Sequence, residues 1–353
     1  MNIKQWIKTS LLTALIILSI VELTNYIIDP FQQYRKATIY PFWYGGIKNE
    51  RFHIAGLVKN YEYNSIMIGS SMVENFLISD LQKLIPNPIK LCMSGARANE
   101  IFITLNTAYK YRKIDNIILG LDIYALTGEI DQKRKNTEFP LYLYDSNPFN
   151  DVKYLLSLNT LQESKEALFN QKLGADKILY QYEHMYEWQY HDNNKFGKDK
   201  VLNIWGKRVS SFNQKEWSIA KLKKSYEYNI LSIIKNHPET KFYIFYPPYS
   251  ALAYLEWEKQ GVSTNVIELK KYIYKTLSKY SNVELYDFQV AKQIVLNLDN
   301  YKDSQHYHQK INTWMIDQMI NKNFLINKNN IEKYLKTFQK EIKLLNKKDL
   351  NAL

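Results

Sequence analysis

A chain of 353 residues is long enough for one large domain or two ordinary ones. Its hydrophobic content of 46% and aromatic content of 14% exclude a chain that is disordered throughout. The formal net charge of +12 suits an anionic membrane surface or an anionic polymer. No zinc-ligand, RNP or Gly-x-x-Gly pattern favours nucleic acid as that polymer.

The first predicted element is a membrane-spanning helix. Residues 9–28, TSLLTALIILSIVELTNYII, carry a single charge, at Glu22, and match the length of a bilayer span. Lys4 and Lys8 favour a cytoplasmic N-terminus, although the basic pair at 35–36 weakens this bias. We expect an uncleaved signal anchor within residues 1–30, because no Ala-x-Ala-like site follows the apolar core; a cleaved signal peptide is the alternative. The rest of the chain is then expected on the extracytoplasmic side of a bacterial inner membrane.

Beyond a lead-in at 31–60, apolar runs alternate with helical patterns. The apolar runs predict buried strands at 65–69, 89–93, 116–121, 241–246 and 282–288. The helical patterns cover 73–84, 97–112, 219–236, 264–280 and 308–320. Near-continuous apolar strands that alternate with helices predict an α/β fold, with a parallel sheet covered on both faces.

Residues 127–215 interrupt this rhythm and predict a mostly helical insertion in a domain spanning 61–325. The insertion follows the third strand, so it either shapes a substrate groove or forms a stabilising cap without substrate contact. The basic tail, 326–353, predicts an amphipathic helix at 330–345 that docks on its own domain, with a membrane surface as the alternative. The lone cysteine, Cys92, allows no intramolecular disulfide and is expected as a small buried hydrophobe in the second strand.

Two serines follow the first predicted strand, in Gly69-Ser70-Ser71. They either belong to a turn that caps a helix, or supply a nucleophile at the carboxyl edge of the sheet. A nucleophilic serine needs a base oriented by a carboxylate. His306 follows the last strand, with Asp303 three residues earlier. It stands out from the full set of histidines, which is His53, His184, His191, His237, His306 and His308.

The order and placement of these motifs resemble the SGNH, or GDSL-like, hydrolases, which carry Gly-Asp-Ser or Gly-x-Ser after strand one and Asp-x-x-His near the C-terminus. This resemblance implies a flavodoxin-like three-layer α/β/α sandwich. It implies Ser71 as nucleophile, His306 as general base and Asp303 as its orienting acid, with Ser70 in the place of the family aspartate. Gly95, in SGARANE after the second strand, matches the glycine whose N–H helps to hold the oxyanion.

One position departs from the family pattern. Gly120-Leu121-Asp122 stands where these hydrolases have Gly-x-Asn-Asp with an asparagine donor. An ionised carboxylate cannot donate a hydrogen bond, so Asp122 is either protonated or a positioning residue. Tyr249 follows two prolines at the end of the fourth strand and either faces substrate or packs. His308 is expected as a neighbour of the base, since a zinc site with His306 and Asp303 would need further ligands.

The pairing of a signal anchor with a degenerate Gly-x-Ser resembles a membrane-anchored branch that includes alginate O-acetyltransferases and the D-alanyl-transfer protein of teichoic acid synthesis. This implies acyl-ester chemistry on an envelope polysaccharide or glycolipid, by transfer or hydrolysis, without a cofactor. It also implies a multi-pass membrane partner that delivers the acyl group. The competing expectation is a hydrolase scaffold that has lost its activity and acts as a polysaccharide-binding or assembly protein of the envelope. Asp122, in the place of the family asparagine, supports this alternative.

Overall fold

The computed structural model describes residues 2–40, 49–169, 182–189, 195–207 and 212–345, with side chains described as far as residue 340. Predictions made for His191, for the end of the tail at 346–353 and for parts of the insertion lie outside the described residues.

Within this part of the chain, five strands form one parallel sheet in the order β2-β1-β3-β4-β5. The strands are β1 (Ser65–Gly69), β2 (Pro88–Cys92), β3 (Asn116–Gly120), β4 (Lys241–Tyr246) and β5 (Val283–Asp287). This is the flavodoxin-like strand order, and helices flank the sheet, so the predicted fold class is confirmed. Cys92 ends β2 and is buried, as expected.

The described helices follow in chain order. The first seven are α1 (Ile3–Ile28), α2 (Glu50–Asn60), α3 (Ile78–Leu81), α4 (Ala98–Tyr111), α5 (Val152–Leu155), α6 (Leu158–Phe169) and α7 (Lys198–Lys207). The others are α8 (Ile219–Tyr226), α9 (Ser232–Asn236), α10 (Ala251–Lys259), α11 (Ser263–Leu277), α12 (Lys292–Val295), α13 (Gln309–Ile320) and α14 (Ile331–Leu345). A π-helical turn, Glu227–Leu231, joins α8 to α9, so the predicted helix at 219–236 is continuous.

The helix predicted at 73–84 is wrong, because only the single turn of α3 forms there. Backbone carbonyls that would accept hydrogen bonds within a helix instead accept them from a side chain of another element. The buried Lys90 ammonium donates to the carbonyls of Glu74 and Phe76 at 2.9 and 2.7 Å. Ser70 and Ser71 therefore lie in a turn after β1, and neither of them caps a helix.

Besides the single turn of α12, two described helices, α2 and α10, were not predicted from the sequence. In α2, residues 50–58 are all buried, including three charged or titratable side chains, so no polar face marks the helix. His53 receives a hydrogen bond from Gln32 at 3.0 Å, and burial lowers the pKa of its imidazole to about 3. In α10, residues 251–257 are likewise buried on every side. An amphipathic pattern is absent from both sequences for this reason.

The chain divides into two compact units, 1–62 with 137–185, and 63–136 with 186–353. The expected insertion at 127–215 is thus shared between them, and its central part folds with the N-terminal residues. In the first unit, α1 is long and apolar enough to cross a membrane, as a signal sequence also is. Its last turn is held by Asn25, which donates to the carbonyls of Leu155 and Ser157.

The second unit contains the sheet, α3 and α4, and α7 to α14. The last of these helices docks on this unit, as favoured for the tail. Ile331, Leu335 and Phe338 are buried along one stripe of α14, and the Phe338 ring packs edge-on against Tyr254 at 4.8 Å.

Candidate active site

The carboxyl ends of the five parallel strands meet at one edge of the sheet, and the expected site residues follow them there. Ser70 and Ser71 follow β1, Gly95 follows β2, and Asp122 follows β3. From β1 the chain adds β2 on one side, and it then adds β3, β4 and β5 on the other side. Open α/β sheets form their binding crevice where the strand order reverses in this way, here between β1 and β3. The site therefore lies at the topological switch point.

Ser71, His306 and Asp303 form a continuous hydrogen-bonded chain. Ser71 Oγ lies 2.9 Å from His306 Nε2, and His306 Nδ1 lies 2.8 Å from Asp303 Oδ2. Burial works against the Asp303 carboxylate, but the His306 ring and the backbone N–H groups of His306 and Gln305 outweigh it and hold its pKa well below the usual range. An ionised carboxylate only accepts, so His306 carries its proton on Nδ1 and presents Nε2 as the acceptor for the Ser71 hydroxyl.

A small hairpin holds the base and its carboxylate in place. Tyr301 and Tyr307 pair across its neck as an antiparallel bridge. The Tyr307 hydroxyl donates to the carbonyl of Met72, the residue after the serine, at 2.6 Å. The Tyr301 hydroxyl donates to the carbonyl of Pro248 at 2.7 Å. One buried tyrosine thus ties the hairpin to the turn that carries Ser71, and the other ties it to the loop after β4. Sequence analysis assigned neither of them a role.

Trp188 supports both partners of the serine–histidine pair. Its indole N–H donates to the Ser71 carbonyl at 2.9 Å, and its ring stands edge-on to the His306 ring at 5.4 Å. The Lys302 ammonium lies 3.7 Å from the centre of the indole ring. Burial lowers the pKa of this lysine, although the Asp303 charge opposes the shift. No sequence motif marks Trp188, because it lies more than 100 residues from either partner.

Each of the two carboxylate oxygens of Asp122 accepts a hydrogen bond from a hydroxyl group. Ser70 Oγ donates to Asp122 Oδ2 at 2.8 Å, and the Tyr249 hydroxyl donates to Oδ1. Of the two expectations for Asp122, the geometry fits the positioning residue, which ties the turn after β1 to the loop after β4. Tyr249 is buried, and burial together with the Asp122 charge raises the pKa of its hydroxyl.

Two backbone N–H groups at the edge of the sheet remain available. Within the described residues, neither the N–H of Ser71 nor that of Gly95 has an intramolecular hydrogen-bond partner. Gly95 adopts φ +58°, in the left-handed region that favours glycine. Both residues line the same cavity, so these N–H groups are candidates to hold an oxyanion.

The cavity has a volume of about 350 Å³ and contains the serine–histidine pair. Besides the expected residues, its described wall includes the cation Arg134 and several aromatic rings: Tyr124, Phe212, Trp217 and Trp257. Arg134 and Phe212 belong to the predicted insertion. His308 is not part of this wall; its Nδ1 accepts the N–H of Lys310 at the start of α13, and its ring packs against Phe196.

Comparisons with known proteins add little. No protein-family model and no curated protein matches the chain. A solved structure from Streptococcus pneumonia, provisionally named a platelet activating factor, resembles it at 11% identity with a TM-score of 0.42. That likeness covers 78% of this chain and 92% of the other. At this TM-score it carries no argument, and the fold assignment rests on the strand order.

Proposed function

We propose that the protein is a membrane-anchored serine enzyme of the SGNH type that transfers or hydrolyses an acyl ester of cell-envelope carbohydrate. The observation that carries this proposal is the unbroken chain from Ser71 Oγ through the His306 ring to the Asp303 carboxylate. Ser71 lies far from Asp303 and His306 in the sequence. The Ser71–His306 separation suits proton transfer, and the His306–Asp303 hydrogen bond orients the ring for it.

In the proposed reaction, His306 Nε2 takes the Ser71 proton as the oxygen attacks the carbonyl of an acyl donor. Asp303 stabilises the imidazolium that forms. The N–H groups of Ser71 and Gly95 hold the negative charge on the carbonyl oxygen, which replaces the asparagine donor that Asp122 cannot supply. His306 returns the proton to the leaving group, and an acyl-serine remains. A sugar hydroxyl or water, deprotonated by His306, then attacks this ester and releases Ser71.

The N-terminal residues support an anchor that stays attached. Asp29 follows α1 directly, and its carboxylate accepts from the N–H groups of Gln33 and Tyr34, and from the Tyr154 hydroxyl, all at 2.8 Å. Cleavage near the end of α1 would separate the Asn25 contacts from the rest of the first unit, so we infer an anchor that is retained. The basic residues Lys4 and Lys8 before the span favour the catalytic unit on the extracytoplasmic side, where a multi-pass protein would deliver the acyl group.

The test is covalent labelling of the full-length protein in detergent by a fluorophosphonate, followed by intact mass. We expect one adduct on the wild-type protein and none on Ser71→Ala or His306→Ala. Two neighbours serve as matched controls. Ser70→Ala still carries the nucleophile, and His308→Asn keeps an acceptor at the start of α13; both are expected to form the adduct.

An adduct that persists in Ser71→Ala would refute the assigned nucleophile. Well-folded wild-type protein that forms no adduct would instead favour the retired scaffold that binds envelope polysaccharide. If the adduct forms as expected, the acyl donor and acceptor are identified by comparing envelope acylation in a Ser71→Ala strain with that in its parent.

A further inference from the structure

The wall of the cavity beside Ser71 includes a cation, Arg134, that has no acidic partner in the part of the chain that the structure describes. Among the described residues, no carboxylate lies within ion-pair distance of Arg134, whose guanidinium donates to the Ser94 carbonyl. The carboxylate in the same wall, Asp122, is occupied by Ser70 and Tyr249. An arginine in a ligand pocket can bind an anionic group of the ligand through charge-assisted hydrogen bonds, and such a charged residue fixes the orientation of the ligand.

The segment that carries Arg134 is held at several points. Arg97 is buried and donates to the Thr127 carbonyl at 2.7 Å, and Asn229 donates to the Ile130 carbonyl at 2.8 Å. A Cβ added to Gly95 would lie 3.2 to 3.3 Å from the Arg134 side chain. The guanidinium is therefore fixed close to the end of β2, which reduces the entropy lost when it binds a ligand.

The aromatic rings in the wall suit the apolar faces of a sugar. Phe212 and Trp217 stack at 5.0 Å, and Tyr124 is 46% exposed although its ring already packs against Arg97 at 4.5 Å. Because Tyr124 and Arg134 line the same cavity, a ligand there meets both a flat apolar ring surface and a charge.

We propose that Arg134 binds a carboxylate or phosphate group on the carbohydrate substrate, so that the cavity selects acidic sugars over neutral ones. This inference rests on the proposed function for its carbohydrate, but it makes a statement about binding alone. The planar guanidinium offers two parallel N–H donors to such a group, which a lysine does not.

Binding is measured by calorimetry on full-length Ser71→Ala protein, which removes turnover. The probes are methyl glucoside, methyl glucuronide and glucose 6-phosphate, which share a ring and differ in charge. We expect at least one acidic probe to bind about tenfold to a hundredfold more tightly than the neutral sugar, the range of a charge-assisted hydrogen bond. The two acidic probes separate carboxylate from phosphate.

Adding Arg134→Gln is expected to reduce the ratio of acidic to neutral affinity to about one, while Arg134→Lys retains part of it. Lys135→Gln is the matched control, since it removes the same charge from the next residue, whose ammonium is exposed and paired with Glu216. Equal affinity for all probes in the starting protein would overturn the proposal. So would an acidic preference that survives Arg134→Gln, or a loss that Lys135→Gln reproduces. Failure of the proposed function would appear separately, as absence of the fluorophosphonate adduct.

Discussion

The substitution Asp303→Asn tests the proton path of the candidate site most directly. Asp303 Oδ1 accepts the N–H groups of Gln305 and His306 at 2.8 and 2.9 Å, while Oδ2 faces His306 Nδ1. An asparagine that keeps the first two bonds must place its amide nitrogen against Nδ1. Because the amide nitrogen only donates, Nδ1 becomes the acceptor and the imidazole proton moves to Nε2. Nε2, which faces Ser71, then carries the proton and has no lone pair to accept from the Ser71 hydroxyl.

The expected loss is about 10³- to 10⁴-fold in the rate of fluorophosphonate labelling at pH 7.5, as for a triad forced into the wrong tautomer. This corresponds to about 4 to 5.5 kcal/mol of activation free energy. The assay follows the adduct by intact mass over time. Asp303→Ala is the comparison, since it removes the same contacts without imposing a tautomer and should label faster than Asp303→Asn. An asparagine variant within tenfold of wild type, or one that labels faster than the alanine variant, would refute this reasoning.

Further predictions concern stability and the cavity. Folding lowers the pKa of Asp303, so its contribution to stability is present above about pH 4 and is lost as the pH falls below that value. The urea midpoint should therefore drop more between pH 5 and pH 3 in wild type than in Asp303→Asn. Tyr249→Phe leaves a buried oxygen of Asp122 without its donor, and urea denaturation at pH 7 should show a loss of about 1 to 3 kcal/mol. Gly95→Ala places a Cβ on a residue with φ +58°, at a cost of about 1 kcal/mol, and should slow labelling by crowding the cavity. Phe338→Ala empties a fully buried site under α14 and should lower the free energy of unfolding by about 3 to 5 kcal/mol, measured by the same denaturation.

The sheet was predictable from sequence because its strands are mostly buried and consist mainly of apolar residues, most clearly in β1 and β3. The ends of β1 and β4 were placed to the residue. The segment after Ser71 was not, because its hydrogen bonds go to side chains that are distant in the sequence. Lys90 lies 14 residues from Phe76, and Tyr307 lies 235 residues from Met72. Local helical propensity is overridden there by tertiary partners.

The candidate site shows the same limit. Ser71, Asp303 and His306 were found because short motifs follow strands in a recognisable order, and the structure brings these three side chains together. Trp188 and Arg134 could not be found in this way, since each belongs to an irregular segment whose path depends on packing. Asp122 was recognised as a departure, but only its two hydroxyl donors indicate how the carboxylate is used.

The hydrogen bond between Ser71 and His306 joins residues 235 positions apart. Synthesis runs from the N-terminus, so the serine is made 235 residues before the histidine. A chain that has not yet reached residue 306 carries a serine of ordinary reactivity, because it has no base to activate this hydroxyl. The proposed reactivity of Ser71 is therefore acquired only after the loop that holds Asp303 and His306 has folded against the turn after β1.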